Sequence, residues 1–310
     1  MATLDELITQ FLEYLELERN VSKLTIRNYR HYLIRFHTWL KTFSSTPPDP
    51  STIDAEMVRR YRLYLSRFAD EKGLTLKRIT QNYHLIALRS FLKFLAKRDV
   101  VSLVSDRIEL GKAESHSLHY LSRDQVERLL ATPSISTASG LRDKVILEVL
   151  FSTGLRVSEL VSLNRNQLNF ETREIGVIGK GRKPRVVFLS VEASSWLQRY
   201  LTQREDEYVP VFIRYGGRKP KPDDTTGESF RLTSRSVQRI VAEYVQKAKL
   251  PIKITPHGLR HSFATDLLTA GADLRAIQEM LGHKNVSTTQ IYTHVTNPQL
   301  KRIHEEFHGK

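Results

Sequence analysis

Apolar residues recur every three or four positions through almost the whole first third of the sequence, a spacing that places them on one face of an α-helix. The pattern breaks at residues 42–51, where Pro47, Pro48 and Pro50 cannot continue a helix. No stretch in this part alternates apolar and polar residues as a half-buried strand would. Four amphipathic helices are therefore predicted, at residues 4–19, after the cap residue Ser22, and at about 54–69 and 75–97.

The polar faces of the second and fourth predicted helices are basic, whereas acidic residues separate the apolar positions of the first. The whole chain has 48 Lys and Arg against 34 Asp and Glu, a net charge of +14. An excess of this size suits a polyanionic partner, and a merely solubilising surface is the alternative. The aromatic residues fall on the apolar stripes, so they are predicted to be core rather than platforms for stacking bases. The basic positions predicted to contact nucleic acid are Lys23, Arg27, Arg30, Lys77, Arg78 and Arg89.

The composition excludes several kinds of protein. The chain has no cysteine, which rules out disulfides, thiolate metal sites and a cysteine nucleophile. No apolar run approaches the roughly 18 to 20 residues that a membrane span requires. The first six residues are acidic where a secretory signal would be basic. We therefore expect an intracellular protein that does not enter a membrane.

A change in pattern divides the chain into two predicted domains. Helical periodicity fades after about residue 100, and small polar residues enter. We predict a helical N-terminal domain at 1–104, a linker at 105–118 and a second domain at 119–310.

The second domain combines helices with three short strand-like runs. These runs are residues 167–170, 174–178 and 185–189, joined by turns at 171–173 and 179–184. They predict a small antiparallel sheet with Lys180 on a glycine-flanked hairpin tip. The fold class is therefore mostly α, with a mixed α/β second domain. A Gly-, Pro- and Lys-rich insertion at 215–229 follows the sheet.

Histidines, an arginine and a tyrosine cluster in the last quarter of the sequence. His257 and Arg260 are three residues apart on a helix that Thr255 caps and Pro256 begins, so they share one face near its positive end. His283 follows the glycine that ends the next helix, and Tyr292 comes nine residues later. Such groups suit the binding of a phosphate and an attack on it.

Metal binding is the competing interpretation of these histidines. His257 and His261 have the four-residue spacing of some zinc ligands, but no Glu follows His257 as it would in a zinc protease motif. Arg260, between the two histidines, would repel a cation. We therefore predict no metal site.

Five separated motifs in order resemble the signature of the tyrosine site-specific recombinases, and the Xer-type members above all. The resemblance covers nearly the whole chain, because the helical N-terminal part is similar to the SAM-like core-binding domain of that family. The motifs are residues 153–160 (TGLRVSEL), 179–181 (GKG), 256–265 (PHGLRHSFAT), 281–283 (LGH) and 287–295 (STTQIYTHV).

The resemblance assigns the central steps of a reaction on DNA. It implies that Tyr292 attacks the scissile phosphate and forms a 3′-phosphotyrosyl bond. Arg156 and Arg260 would hold the non-bridging oxygens, for which their forked donors are suited. Lys180 would give a proton to the departing 5′-hydroxyl.

The remaining site residues have supporting roles in the same family. His257 would help to accept the tyrosine proton, and His283 would hydrogen-bond the phosphate. Glu159 would orient the residues of the site without contacting the phosphate itself. A phenol of pKa about 10 is a weak nucleophile at neutral pH, and it needs this positive field. No metal, ATP or other cofactor is expected. Further DNA contacts are predicted on the hairpin, at Arg182, Lys183 and Arg185.

The resemblance also implies how the protein assembles. It predicts a two-domain clamp around double-stranded DNA and a homotetramer, or a heterotetramer with a paralogue, on specific recombination sites. A C-terminal helix at 298–308 carries Leu300, Ile303 and Phe307 at helical spacing and is expected either to dock on a neighbouring protomer or to pack in its own domain. The protein would be cytoplasmic and nucleoid-associated, and a DNA translocase is a possible activator.

Two alternatives remain open from the sequence. One is a DNA-binding accessory protein with a decayed site, in which Arg156 forms a plain surface ion pair with Glu159 and Tyr292 is a core residue. The other is a type IB topoisomerase-like enzyme, which shares the chemistry without strand exchange. The biological role, whether dimer resolution or integration and excision, is also open.

Overall fold

The computed structural model describes residues 2–43, 48–111, 119–179, 183–217 and 224–282. The chain divides into two compact units, Met1–His116 and Ser117–Lys310. Seven residues of the predicted linker, 112–118, lie outside the described ranges. No helix within these ranges is long and apolar enough to cross a membrane.

The first unit contains the four predicted helices. The side chains of Thr3, Ser22 and Asp54 cap the first three of them by accepting hydrogen bonds from backbone amides of the first turn. The helices are α1 (Leu4–Leu17), α2 (Lys23–Leu40), α3 (Ala55–Arg67) and α4 (Arg78–Ala96).

The connection between α3 and α4 is longer than predicted and contains a β-bridge. Ala69 and Thr75 form an antiparallel β-bridge, which holds both residues in extended conformation. For this reason α3 ends at Arg67 and α4 begins at Arg78, later than the predicted start near residue 75.

Aromatic rings fill the core of the first unit, as predicted. Phe11, Phe36, Tyr61 and Phe91 are all at most 1% exposed. The rings of Phe11 and Phe91 meet edge-on with their centroids 5.6 Å apart. These rings are therefore not available for stacking on bases.

The second unit is mostly helical and is built around α6. This helix is buried on almost every side and packs against α8 and α10. It ends where Gly154 takes a left-handed conformation. The helices of this unit are α5 (Arg123–Ala131), α6 (Ala138–Thr153), α7 (Val157–Val161), α8 (Val191–Thr202), α9 (Ser234–Lys247), α10 (Pro256–Thr269) and α11 (Leu274–Leu281).

The predicted three-stranded antiparallel sheet is confirmed. Its strands are β1 (Leu168–Asn169), β2 (Glu174–Ile178) and β3 (Pro184–Phe188), in that order across the sheet. β1 is shorter than predicted because residues 165–167 form a 3-10 turn before it. After it, the side chain of Asn169 accepts hydrogen bonds from the amides of the β1–β2 turn.

Candidate active site

Arg156 stands at the start of α7, two residues after the glycine that ends α6. Gly154 has φ +60°, and a Cβ atom there would lie 2.5 Å from the Phe263 ring. Only glycine fits this turn, which brings the chain back across α10 before Arg156 begins α7. The Arg156 side chain is 31% exposed, so its guanidinium is anchored on one side and open to solvent on the other.

Glu159 is the buried anchor of this arginine. Its carboxylate accepts hydrogen bonds from the Arg156 backbone amide at 2.8 Å and from the Arg156 guanidinium at 2.9 Å. The side chain is 5% exposed. Burial alone would raise the pKa of Glu159, but the hydrogen bonds from Arg185 and Arg156 outweigh it and lower the pKa to about 2. Glu159 is therefore a fixed negative charge.

Arg185 is the second cation on this carboxylate. Its two terminal nitrogens donate to the two oxygens of Glu159 at 2.8 and 2.9 Å, a bidentate pair. The side chain is only 13% exposed. The sequence predicted Arg185 as a DNA contact on a solvated basic run, whereas the structure places it inside the site. The alternation of β3 carries the signal for this position, because Arg185 lies on the same face as buried Val187.

Arg260 ties together two helix ends. It is 1% exposed, and its terminal nitrogens donate to the backbone carbonyls of Gly154 and Leu281. These residues lie at the C-terminal ends of α6 and α11, where carbonyls lack helical partners and a cation is favoured. One guanidinium thus fixes both the segment that leads to Arg156 and the segment that leads to His283.

His257 lies in the first turn of α10, beside the arginines. Its residue surface is exposed, and its ring meets that of buried His261 edge-on at 4.3 Å between centroids. Partial desolvation, followed by the charges of Arg260 and Arg156, lowers the pKa of His257 below its ordinary value. The imidazole is therefore neutral, and able to accept a proton, down to lower pH than a free histidine.

The turn between β2 and β3 begins at the same network. The Gly179 amide donates to the Lys183 carbonyl at 2.8 Å. A Cβ atom on Gly179 would lie 3.0 Å from Arg185 Nη1 and 3.9 Å from Glu159 Oε1. Lys180 and Arg182, which follow Gly179 in this turn, lie outside the described residues.

Two further predicted site residues fall on the part of the chain that is not described. His283 and Tyr292 lie outside the described ranges, as does the predicted helix 298–308. The described chain ends at Gly282, whose left-handed φ of +62° stops α11. A Cβ atom on Gly282 would lie 3.2 Å from Arg185 Cδ, so this turn also packs on Arg185.

The predicted DNA contacts of the first unit are mostly open to solvent. Lys23, Arg27, Arg30, Lys77 and Arg78 are exposed. Arg89 is half-buried, and its guanidinium lies 3.5 Å from Asp106. Arg78 also lines a polar cavity of ≈ 450 Å³ with Arg59 and Arg62. On the hairpin, Lys183 is exposed.

The site is a concentration of positive charge on a rigid base. Two guanidinium groups, those of Arg156 and Arg185, bind one carboxylate, and Arg260 lies with Arg156 near His257. Together Arg156, Glu159, Arg185 and Arg260 carry an excess of two positive charges. Fixed cations of this kind bind an anion such as a phosphodiester and stabilise the charge that develops on its oxygens. Within the described ranges, no group of three His, Asp or Glu side chains is arranged to hold a metal ion.

Family models match both units of the chain. The model described as the phage integrase family matches residues 119–298, and that of the phage integrase N-terminal SAM-like domain matches residues 8–99.

Individual relatives align over almost the whole length. The tyrosine recombinase XerC of Syntrophus aciditrophicus is 37% identical over 315 residues, which cover 99% of this chain and 98% of that protein. The tyrosine recombinase XerD of Lacticaseibacillus casei is 35% identical and covers 98% of this chain and 99% of its own length.

Solved structures share the fold. The crystal structure of XerA recombinase is 30% identical and covers 98% of both chains, with a TM-score of 0.51. XerH, in a post-cleavage complex with its palindromic difH substrate, has a TM-score of 0.71. It is 24% identical and covers 96% of this chain and 84% of its own, a likeness that concerns the fold alone.

Proposed function

The chain belongs to the phage integrase family of tyrosine recombinases, and from this membership we propose that it is a site-specific DNA recombinase, which cuts and rejoins duplex DNA through a covalent 3′-phosphotyrosyl intermediate. The observation that carries the proposal is the arginine site itself. Buried Glu159 binds the Arg156 guanidinium. Arg260 joins the end of α6, which leads to Arg156, to the end of α11. An arginine held this way serves an anion in the solvent rather than the stability of the fold.

The reaction is a phosphoryl transfer with no net change in bond number. The Tyr292 oxygen bonds to phosphorus while the bond from phosphorus to the 5′-oxygen breaks. The phenol proton goes to His257, and the departing 5′-oxygen takes a proton from Lys180. Because the phosphotyrosyl bond keeps the energy of the phosphodiester, the reverse attack by a 5′-hydroxyl rejoins DNA without ATP.

Arg156 and Arg260 act by stabilising charge on the non-bridging oxygens. Their groups are already oriented by Glu159 and by the two helix ends, so little reorganisation accompanies the reaction. His283 adds a hydrogen bond to the same phosphate. The positions of Gly179 and Gly282 support these roles, because each lies against Arg185 and directly precedes Lys180 or His283.

The direct test is a suicide DNA substrate. A nicked duplex carrying the site selected in vitro with this protein traps the intermediate, because the cleaved fragment diffuses away. Wild type should give an SDS-resistant protein–DNA adduct, and Tyr292→Phe should give none. Tyr120→Phe, which removes an exposed phenol oxygen elsewhere in the same unit, is the matched control and should give wild-type yield. Absence of the adduct with wild type would refute the proposal that the protein cleaves DNA through a covalent intermediate.

Strand exchange distinguishes a recombinase from a type IB topoisomerase-like enzyme. Paired sites on two labelled duplexes should yield Holliday junctions and recombinant products. Relaxation of supercoiled DNA without junctions would favour the topoisomerase. Adduct-free binding would favour the accessory protein.

The assembly is proposed to be a tetramer on two sites, formed by this chain alone or with a paralogue. The second unit has an apolar cavity of ≈ 370 Å³ lined by Phe151, Phe188, Phe263, Leu267 and Met280, among others. Phe188 is 53% exposed there. Such a surface can receive, from a neighbour, the apolar stripe of the helix that the sequence predicts at 298–308.

Truncation after residue 297 tests this assembly. The truncated protein should still bind single sites but lose the cooperative complex of two paired sites, as measured by native gel mobility. Unchanged pairing would refute the role of the helix. The proposed setting is the cytoplasm, in association with the nucleoid and with a DNA translocase as activator, and the role is either dimer resolution or integration and excision.

A further inference from the structure

Arg185 has a position that the proposed reaction does not use. It is neither on the open surface nor among the residues assigned to the phosphate, and yet it contacts three parts of the site. It binds Glu159 through two hydrogen bonds, and its side chain packs against Gly179 and Gly282. These parts come from α7, from the β2–β3 turn and from the end of α11.

We propose that Arg185 is a positioning residue for DNA cleavage: through Glu159 it holds the Arg156 guanidinium, and through its contacts with Gly179 and Gly282 it sets where the chain enters the Lys180 turn and the His283 segment. This inference rests on the proposed function. It assigns Arg185 no contact with DNA.

The first argument is the geometry of Glu159. A carboxylate shared by two arginines is held more rigidly than a carboxylate bound to one, because each oxygen accepts from both residues. Without Arg185, the described partners of Glu159 are reduced to the amide and the guanidinium of Arg156. The Arg156 guanidinium would then lose its fixed direction.

The second argument is that the arrangement is costly. Arg185 is 13% exposed, and its Nε atom is buried with no hydrogen-bond partner among the residues that the structure describes. A buried donor without a partner costs free energy, and a buried ion pair adds little net stability. Retention of an arginine here therefore suits a positional role in the site better than a role in stabilising the fold.

The third argument is electrostatic. Among the residues that the structure describes, the charged groups that contact Glu159 are Arg156 from the start of α7 and Arg185 from β3. Burial raises the pKa of Glu159, and the hydrogen bond from Arg185 is the largest influence that lowers it. Without Arg185, the pKa of Glu159 should rise, so that the carboxylate becomes protonated and releases Arg156 as the pH falls.

The kinetic test compares Arg185→Met with wild type in single-turnover cleavage of the suicide duplex at saturating protein. The rate should fall by about 10- to 100-fold, with DNA affinity unchanged within about twofold. Arg185→Lys should recover part of the rate, because it restores the charge without the fork. The ratio of mutant to wild-type rate should fall further as pH is lowered.

Two controls separate positioning from general destabilisation. Arg231→Met removes another largely buried arginine that pairs with a glutamate in the same unit, and its rate ratio should be flat with pH. In a double-mutant cycle, Arg185→Met should cost much less in a Glu159→Gln background than in wild type, because both changes act on one contact. Additive effects, a flat pH ratio for Arg185→Met, or full activity of that variant would each overturn the inference.

A readout without DNA keeps the two proposals distinguishable. Carbon-13 labelling of glutamate side chains allows the Glu159 carboxyl to be titrated by NMR and assigned by its loss in Glu159→Gln. Its pKa should rise in Arg185→Met, whether or not the protein cleaves DNA. A rise in this pKa together with an inactive wild type would refute the proposed recombinase activity but not the proposed effect of Arg185 on Glu159. An unchanged pKa of Glu159 would refute the proposed effect of Arg185 on Glu159 even if the wild type cleaves DNA.

Discussion

Glu159→Gln probes how strongly the arginine site is held together. In wild type the buried carboxylate is stabilised by two guanidinium groups, which lower its pKa from an ordinary 4.5 to about 2. Through proton linkage, such a difference means that folding favours the charged over the protonated side chain by about 3 kcal/mol. Glutamine keeps the shape of the side chain but removes the charge, and it leaves Arg156 and Arg185 facing a neutral amide.

The sign of the pH effect follows from the direction of the shift. Because the folded-state pKa lies below the unfolded value, the stabilisation is complete above about pH 4.5 and is lost as the pH falls toward 2. The difference in unfolding free energy between wild type and Glu159→Gln should therefore shrink by about 2 kcal/mol between pH 6 and pH 3. Any constant cost of the amide cancels in this comparison.

Urea unfolding followed by tryptophan fluorescence provides the assay. The chain has two tryptophans, Trp39 in the first unit and Trp196 in the second. In a Trp39→Phe background, Trp196 reports on the unit that contains Glu159. Parallel pH profiles for the two proteins would refute the argument that Glu159 is a fixed charge.

Three further predictions concern other parts of the molecule. Gly154→Ala should lower the unfolding free energy by about 2–4 kcal/mol, because Gly154 has a left-handed φ and lies close to the Phe263 ring. Gly176 has open space around it, so Gly176→Ala should change the unfolding free energy by less than about 1 kcal/mol. Equal effects of the two substitutions in thermal unfolding would contradict this prediction. Arg30→Ala should reduce the slope of log affinity against log salt concentration by about 0.9 without changing the preference for DNA sequence. An unchanged slope would show that Arg30 does not contact a DNA phosphate. His257→Gln should slow cleavage and abolish the acid limb of the wild-type pH–rate profile. That limb should lie below pH 6.5 because desolvation, Arg260 and Arg156 lower the pKa of His257, and a limb that persists in the variant would exclude His257 as the proton acceptor.

Periodicity and capping residues predicted most of the secondary structure. Ser22 and Thr255 cap the helices expected of them, and the three strands pair as the turn residues indicate. These features depend on neighbours within a few positions of the sequence, which is why they could be predicted. The short bridge between Ala69 and Thr75 was missed because nothing in its local pattern alternates.

Side-chain partnerships across the fold were harder to predict. Arg185 looked like one charge in a solvated basic run, and only its register opposite Val177 in the sheet turns it toward Glu159. Tyr83, assigned to an apolar stripe of the fourth helix, is 47% exposed. Such contacts depend on residues far apart in the sequence, and no single segment determines them.

The two hydrogen bonds that Arg260 donates to the carbonyls of Gly154 and Leu281 have a consequence for the order of synthesis and folding. The first of these carbonyls is 106 residues before Arg260 in the chain, and the second is 21 residues after it. The first unit can complete its own core much earlier, since its buried residues all precede residue 109. The chain must therefore be synthesised as far as Leu281 before Arg260 can join the ends of α6 and α11. A polypeptide that ends before residue 281 lacks the Leu281 carbonyl and cannot form this pair of contacts.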